Sequence, residues 1–150
     1  MASKAFNEDE KMDADAKLNR ALLFSTDEQN FLGLLSAERL SEEDIINAAT
    51  AGACTYSYNE KNFDELFLRL YEKLAGRKYG GSILPFGAIT SRIMIFKTSF
   101  EDVIDSFKQY PEKIDIGHIA CLCAIAFSTD VDDFVGLYKQ AIDQLRTNKS

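Results

Sequence analysis

Residues 59–76, NEKNFDELFLRLYEKLAG, contain the clearest helical pattern of the chain. Their large apolar side chains recur at intervals of three and four residues, which places them on one face of an α-helix. These residues are Phe63, Leu66, Phe67, Leu70 and Leu74. Asn59 or Asn62 can cap the first turn, because a short polar side chain accepts a hydrogen bond from an otherwise unpaired N–H group. Gly76 is typical of a helix end, so the pattern predicts a helix over residues 60–75.

Similar capping signals predict helices on both sides of this segment. The expected helices and their capping residues are 8–24 (Asn7), 27–38 (Thr26), 42–57 (Ser41), one from Thr98 or Ser99 to before Pro111, 115–127 (Asp115), and 131–146 (Thr129 or Asp130). Residues 83–96 are ambiguous, since Pro85 suits the first turn of a helix whereas the β-branched residues suit a strand. No second clear strand is present to pair with it, so a helix is favoured.

These elements predict an all-α protein, a single-domain globular bundle of about six to seven helices. The apolar run Ile119–Phe127 is too short to span a bilayer, which takes about 20 residues. We therefore expect a buried apolar helix near 115–127 at the centre of the bundle, where Ile125→Asp would unfold the domain. Residues 9–147 form the expected domain, with a flexible tail over 1–8 and a frayed C-terminus over 148–150.

Two segments of the chain resemble each other. Residues 21–35 read ALLFSTDEQNFLGLL and residues 124–138 read AIAFSTDVDDFVGLY, with eight of fifteen positions identical. In each, a helix ends on Phe, Ser-Thr-Asp turns the chain, and a second helix begins. The similarity has two explanations: convergence on a favourable helix junction, or duplication of a helical hairpin.

Composition and charge exclude several classes of protein. A chain that is 46% hydrophobic can bury a core, which excludes global disorder. A net charge of −7 argues against binding duplex nucleic acid, which takes a basic surface. No apolar run follows Met1, as a secretory signal would require, and three cysteines do not make a disulfide framework. We therefore expect a cytoplasmic protein with reduced thiols and no membrane span.

Few residues suggest catalysis or metal binding. His118, Cys121 and Cys123 have a metal-like spacing, but Cys123 points away from the other two on a helix and no fourth ligand is evident. Cys54 could be a nucleophile only beside a base. Packing explains these residues better, and helix N-termini explain the acidic clusters. We predict no cofactor, metal or catalytic residue. The acidic clusters are Glu42/Glu43/Asp44, Glu101/Asp102 and Asp130/Asp132/Asp133.

The best candidates for binding lie in loops and at helix ends. Residues 76–82 combine three glycines with two basic residues, so this loop could contact an anion or a partner. Tyrosines near helix ends can stay partly exposed, and tyrosine is enriched at protein interfaces. The candidate partner-binding residues are Tyr56, Tyr58, Lys73, Arg77, Lys78, Tyr79 and Tyr110.

Three functional hypotheses follow. The first is a small acidic module that binds another protein or itself, of the kind that viruses and phages use as accessory, inhibitory or structural factors. The alternative is a helical protein that binds a small ligand or mimics nucleic acid with its acidic groups. An enzyme is the weakest hypothesis, because the chain has one histidine and no catalytic motif.

Overall fold

The computed structural model describes residues 12–35 and 40–147. Within these ranges it contains eight α-helices and no β-strand, which confirms the all-α class and slightly exceeds the predicted count. The helices are α1 (Ala14–Phe24), α2 (Glu28–Leu35), α3 (Glu42–Tyr56), α4 (Glu60–Ala75), α5 (Phe86–Phe96), α6 (Phe100–Lys108), α7 (Ile116–Phe127) and α8 (Val131–Thr147). The predicted cap at Asn7 and the predicted tails over 1–8 and 148–150 lie outside the described residues.

Most helix starts agree with the capping signals. In α3, α4, α6 and α7, the predicted side chain accepts a hydrogen bond from the N–H group three residues later; these caps are Ser41, Asn59, Ser99 and Asp115. The cap predicted at Thr26 is wrong: Asp27 caps α2, accepting from the N–H of Asn30 at 2.7 Å. Met12, predicted on the first helix, precedes α1, which Asp13 caps by accepting from the N–H of Ala16 at 2.8 Å. An aspartate carboxylate reaches the third N–H group in both cases.

The ambiguous segment 83–96 is helical. Its helix α5 begins at Phe86, and the carbonyl of Pro85 accepts hydrogen bonds from the N–H groups of Ala88 and Ile89 at 2.9 and 3.1 Å. Pro85 was predicted to lie in the first turn of this helix, and it lies instead one residue before the helix begins. Its missing N–H group costs nothing there, because the helix needs only its carbonyl.

The chain divides into two compact units, one ending at Ser91 and the other beginning at Arg92. The predicted single domain over 9–147 stays a prediction. In the first unit, α3 and α4 pack closely where Gly52 of α3 faces Leu70 of α4 and Phe31 of α2. Arg69 of α4 also donates two hydrogen bonds to Glu28 of α2, at 2.7 and 2.8 Å. That pairing lowers the pKa of the Glu28 carboxyl.

In the second unit, α7 and α8 pack against each other and both contact α6. The buried residues of α7 form one stripe: Ile119, Ala120, Cys123 and Ala124. The opposite face is open, since Ile125 is 67% exposed and Cys121 is exposed. The prediction that α7 is buried on nearly every side is therefore wrong. Within the described residues, no helix combines the length and hydropathy required to cross a membrane.

Candidate partner-binding surface

Three aliphatic side chains of the second unit are largely exposed to solvent. Ile125, near the end of α7, is 67% exposed, and Val131 and Val135, in the first turns of α8, are 79% and 45% exposed. Val131 and Val135 are four residues apart and so lie on the same helix face. Single exposed aliphatic residues are common on protein surfaces, but these three belong to one helical hairpin. We name Ile125, Val131 and Val135 the corner patch.

A groove adjoins two residues of this patch. It has a volume of about 470 Å³ and is lined by Ser128, Thr129, Asp130, Val131, Phe134 and Val135. It lies at the junction between α7 and α8, where two hydrogen bonds cap the first turn of α8. Asp130 accepts from the N–H of Asp133 at 2.7 Å, and Asp133 accepts from the N–H of Thr129 at 2.9 Å. The groove thus has an apolar wall, formed by Val131, Phe134 and Val135, beside the carboxylate of Asp130.

The α7–α8 hairpin carries more acidic than basic side chains, with five aspartates against Lys139 and Arg146 between Asp115 and Thr147. The four aspartates between Ile114 and Tyr138 are accompanied by one basic side chain, His118, and the nearest lysine on α8 is Lys139, which is exposed one turn beyond Val135. Two of the aspartates, Asp130 and Asp132, are exposed beside Val131. The potential over the corner patch is therefore expected to be negative, which favours a partner that carries positive charge.

Residues 21–35, which resemble residues 124–138 in sequence, form the same type of helix junction. In both segments the serine N–H closes the first helix, the aspartate caps the second, and the threonine N–H donates to the side chain three residues after that aspartate. The N–H groups of Ser25 and Ser128 donate to helix carbonyls at 2.9 and 3.0 Å. The carboxylates of Asp27 and Asp130 each accept their capping hydrogen bond at 2.7 Å. The N–H groups of Thr26 and Thr129 donate to side-chain oxygens at 3.0 and 2.9 Å. Both convergence and duplication predict this shared bonding, so both explanations stay open.

The first of these junctions also exposes apolar residues, but its charge is mixed. Leu23 and Phe24 are 74% and 66% exposed. Lys17 and Arg20 lie on the same helix, and the guanidinium of Arg20 donates to the carbonyl of Leu34 at 2.6 Å. The argument for a positively charged partner therefore applies to the second junction and not to the first.

Side-chain contacts hold the basic loop 76–82 against helices α3 and α4 of the first unit. Arg77 donates to Glu42 at 2.5 Å, and its guanidinium carbon lies 5.5 Å from the centre of the Tyr71 ring. The buried Tyr71 hydroxyl donates to the same carboxylate, and this hydrogen bond raises the pKa of Tyr71. Arg77 thus stabilises the contact between the loop and α3, whereas Lys73 and Lys78 are exposed.

Tyr79 is held in the same cluster. Its ring centre lies 5.7 Å from that of Phe67 and 5.2 Å from that of Tyr71, both in edge-to-face geometry. Gly81 packs directly beside it, since an added Cβ would lie 2.6 Å from the Tyr79 hydroxyl oxygen. The structure therefore brings Arg77 and Tyr79 together, as parts of an internal contact.

The other candidate tyrosines differ in exposure. Tyr56 shares a hydrogen bond with Ser25, and its ring centre lies 6.2 Å from that of Phe31. The Tyr110 hydroxyl accepts a hydrogen bond from Arg92 at 3.3 Å. Tyr58, in contrast, is 78% exposed. Tyr58 is thus the tyrosine among the candidates whose ring is most available to a partner.

The three cysteines differ in burial: Cys121 is exposed, Cys54 is partly buried and Cys123 is buried. Burial raises the pKa of the Cys54 thiol, and it raises that of Cys123 to about 11. Cys121 is exposed on α7, on a different face from Cys123. Among the residues that the structure describes, no group of three or more His, Cys, Asp or Glu side chains could hold a metal ion. Cys123 belongs to the buried stripe of α7, and the packing role predicted for Cys54 stays a prediction.

These exposures predict the reactivity of the thiols. At pH 8, a disulfide reagent such as DTNB should modify one thiol per native chain rapidly, and Cys121→Ser should remove this fast phase. The raised pKa of Cys123, about 11 against an ordinary value of 9.0, leaves about 100-fold less thiolate at this pH. Denaturant should expose all three thiols. Rapid modification of three thiols in the native protein would contradict these burial assignments.

Comparison with protein-family models, with curated protein sequences and with solved structures finds no match. The chemistry of the surface is therefore the basis for inferring function. The sequence candidates did not include the corner patch, because Ile125 was predicted to be buried and Val131 was not considered. An all-apolar helix such as α7 carries no pattern that indicates which of its sides faces solvent.

Proposed function

We propose that this protein is an interaction module that binds another protein through the corner patch. The observation that carries the proposal is the exposure of Val131 and Val135, at 79% and 45%, in the lining of a groove at the α7–α8 junction; Ile125, on the helix before that junction, is 67% exposed. Exposed apolar residues rimmed by polar ones are typical of protein interaction sites. Aliphatic side chains at such a site gain free energy when a partner removes them from water, about 25 cal/mol per Å².

Two further features support a binding role. The groove backbone is held by capping hydrogen bonds of Asp130 and Asp133, so a partner would not have to order it. A preorganised surface binds more tightly because less conformational entropy is lost. The two titratable thiols with raised pKa values, Cys54 and Cys123, are also poor nucleophiles near neutral pH.

The proposal predicts that capture of a partner depends on the corner patch. The tagged full chain should retain a stoichiometric protein from native cell extract after nuclease treatment. The double variant Ile125→Ser/Val131→Ser should reduce this capture by at least about 10-fold, since buried apolar contacts at the centre of an interface dominate its affinity. Quantitative mass spectrometry of the bound fraction measures the ratio.

The matched control is Leu23→Ser/Leu68→Ser, which removes two aliphatic side chains that are 74% and 43% exposed in the first unit. This variant should capture the partner as well as the wild type does. Thermal melts of both variants should confirm that they are folded. Equal capture by the wild type and the corner-patch variant, or a loss confined to the control, would show that the binding surface is elsewhere.

A further inference from the structure

The corner patch extends beyond the groove. Ile125 does not line the groove, yet it is 67% exposed on the helix that leads into it. A compact small molecule in the groove would leave Ile125 in water. Ile125 and Val131 lie on either side of the α7–α8 junction, so an occupant that covers all three patch residues must extend beyond the groove, as a segment of protein chain can.

The mode of binding follows from the secondary structure. The described residues contain no β-strand, so the patch offers no strand edge to which an extended peptide could add. Val131 and Val135 stand one helical turn apart, with Phe134 between them in the groove lining. Ridges at this spacing pack into the grooves between the i, i+3 and i+4 side chains of another helix.

The charge around the patch restricts the partner further. Asp130 and Asp132 flank Val131 and are exposed, whereas the nearest lysine on α8, Lys139, lies about two turns further along the helix. A partner with acidic side chains at its rim would be repelled, as would an anionic membrane. Lysine or arginine beside an apolar stripe would instead meet opposite charge, which increases the association rate and excludes wrong partners.

We propose that the corner patch binds a basic amphipathic helix, with apolar residues against Ile125, Val131 and Val135 and with lysine or arginine facing Asp130 and Asp132. This inference rests on the proposed function and names the chemistry of the partner. It excludes an acidic peptide, an anionic membrane and a second copy of this acidic chain as the principal occupant.

The test uses three labelled 18-residue peptides and fluorescence anisotropy with the full chain at an ionic strength of about 0.15 M. The first peptide is an amphipathic helix of leucine and lysine. The second has glutamate in place of every lysine, and the third has the composition of the first in a scrambled order. The first peptide should bind at least about 10-fold more tightly than either of the others.

Two pairs of variants separate the patch from the overall negative charge. Ile125→Ser/Val131→Ser should weaken binding of the leucine–lysine peptide by about 10-fold, and Leu23→Ser/Leu68→Ser should not. Asp132→Lys should weaken it by about 5-fold, and Asp143→Lys should not, although both change the net charge equally. Asp143 lies eleven residues further along α8, about 16 Å away, which exceeds the Debye length of about 8 Å.

Each outcome decides the proposal. Equal affinity for the lysine and glutamate peptides, or equal effects of Asp132→Lys and Asp143→Lys, would overturn it. If the partner from extract requires the corner patch but the peptides show no preference for lysine, the proposed function stands and the basic helix is wrong. If neither capture of the extract partner nor binding of the peptides depends on the corner patch, the proposed function and the basic-helix proposal are both wrong. Sedimentation of a dimer that Ile125→Ser/Val131→Ser dissociates would assign the patch to a second copy and also overturn the proposal.

Discussion

Ile119→Asp is expected to unfold the protein at 25 °C, whereas Ile125→Asp should melt cooperatively close to the wild type. Both residues lie on α7, six positions apart, but Ile119 is fully buried and Ile125 is 67% exposed. At position 119 the substitution removes a buried aliphatic side chain and places a carboxylate in an apolar environment. The combined cost is about 5 kcal/mol or more, comparable to the whole stability of a typical domain.

At position 125 the carboxylate stays in water. The remaining costs are the lower helix propensity of aspartate and its position near the negative end of the helix dipole, together about 1 kcal/mol. For a chain of this length that corresponds to a fall of about 4 °C in Tm. Circular dichroism melts of the two variants measure the difference.

Ile119→Val is the matched control for the buried position. It removes one methylene group without adding charge and should cost about 1 kcal/mol. A folded Ile119→Asp protein, or an Ile125→Asp protein without a cooperative transition, would show that the buried and exposed faces of α7 are assigned the wrong way round. The second of these results would also remove the basis for the corner patch.

The local features of this fold could be predicted from sequence, whereas the solvent-facing side of α7 could not. Ser41 and Asn59 cap their helices as predicted, because a cap is decided by residues three positions apart. The burial of Ile119 and the exposure of Ile125 depend on where α6 and α8 pack. An all-apolar helix carries no periodicity from which that side could be chosen.

The same reasoning applies to the contacts that the structure shows for the loop candidates. Arg77 and Tyr79 were singled out as basic and aromatic residues in a glycine-rich loop. Their partners, Glu42 and Phe67, lie 35 and 12 residues away in sequence. Nothing in the loop itself indicates these partners, so the internal contacts of Arg77 and Tyr79 could not be predicted from the sequence.

Gly52→Ala should destabilise the protein, although alanine is the better helix former. A Cβ atom at position 52 would lie 2.5 Å from Cδ1 of Leu70 and 2.9 Å from Cε2 of Phe31. Both neighbours are fully buried, so neither can move without disturbing its own packing. Overpacking of this kind costs about 1–3 kcal/mol, which exceeds the gain of about 1 kcal/mol in helix propensity.

Gly33→Ala provides the matched control, because position 33 is also helical and an added Cβ there meets nothing within 4 Å. This substitution should stabilise the protein by up to about 1 kcal/mol. Urea unfolding should therefore give opposite signs for the two variants. Shortening the obstructing side chain should relieve the clash, so Gly52→Ala/Leu70→Val should be more stable than the sum of its single substitutions predicts. Two Gly→Ala variants that both gain stability would mean that α3 and α4 are not in contact at Gly52. The first unit would then have a different core.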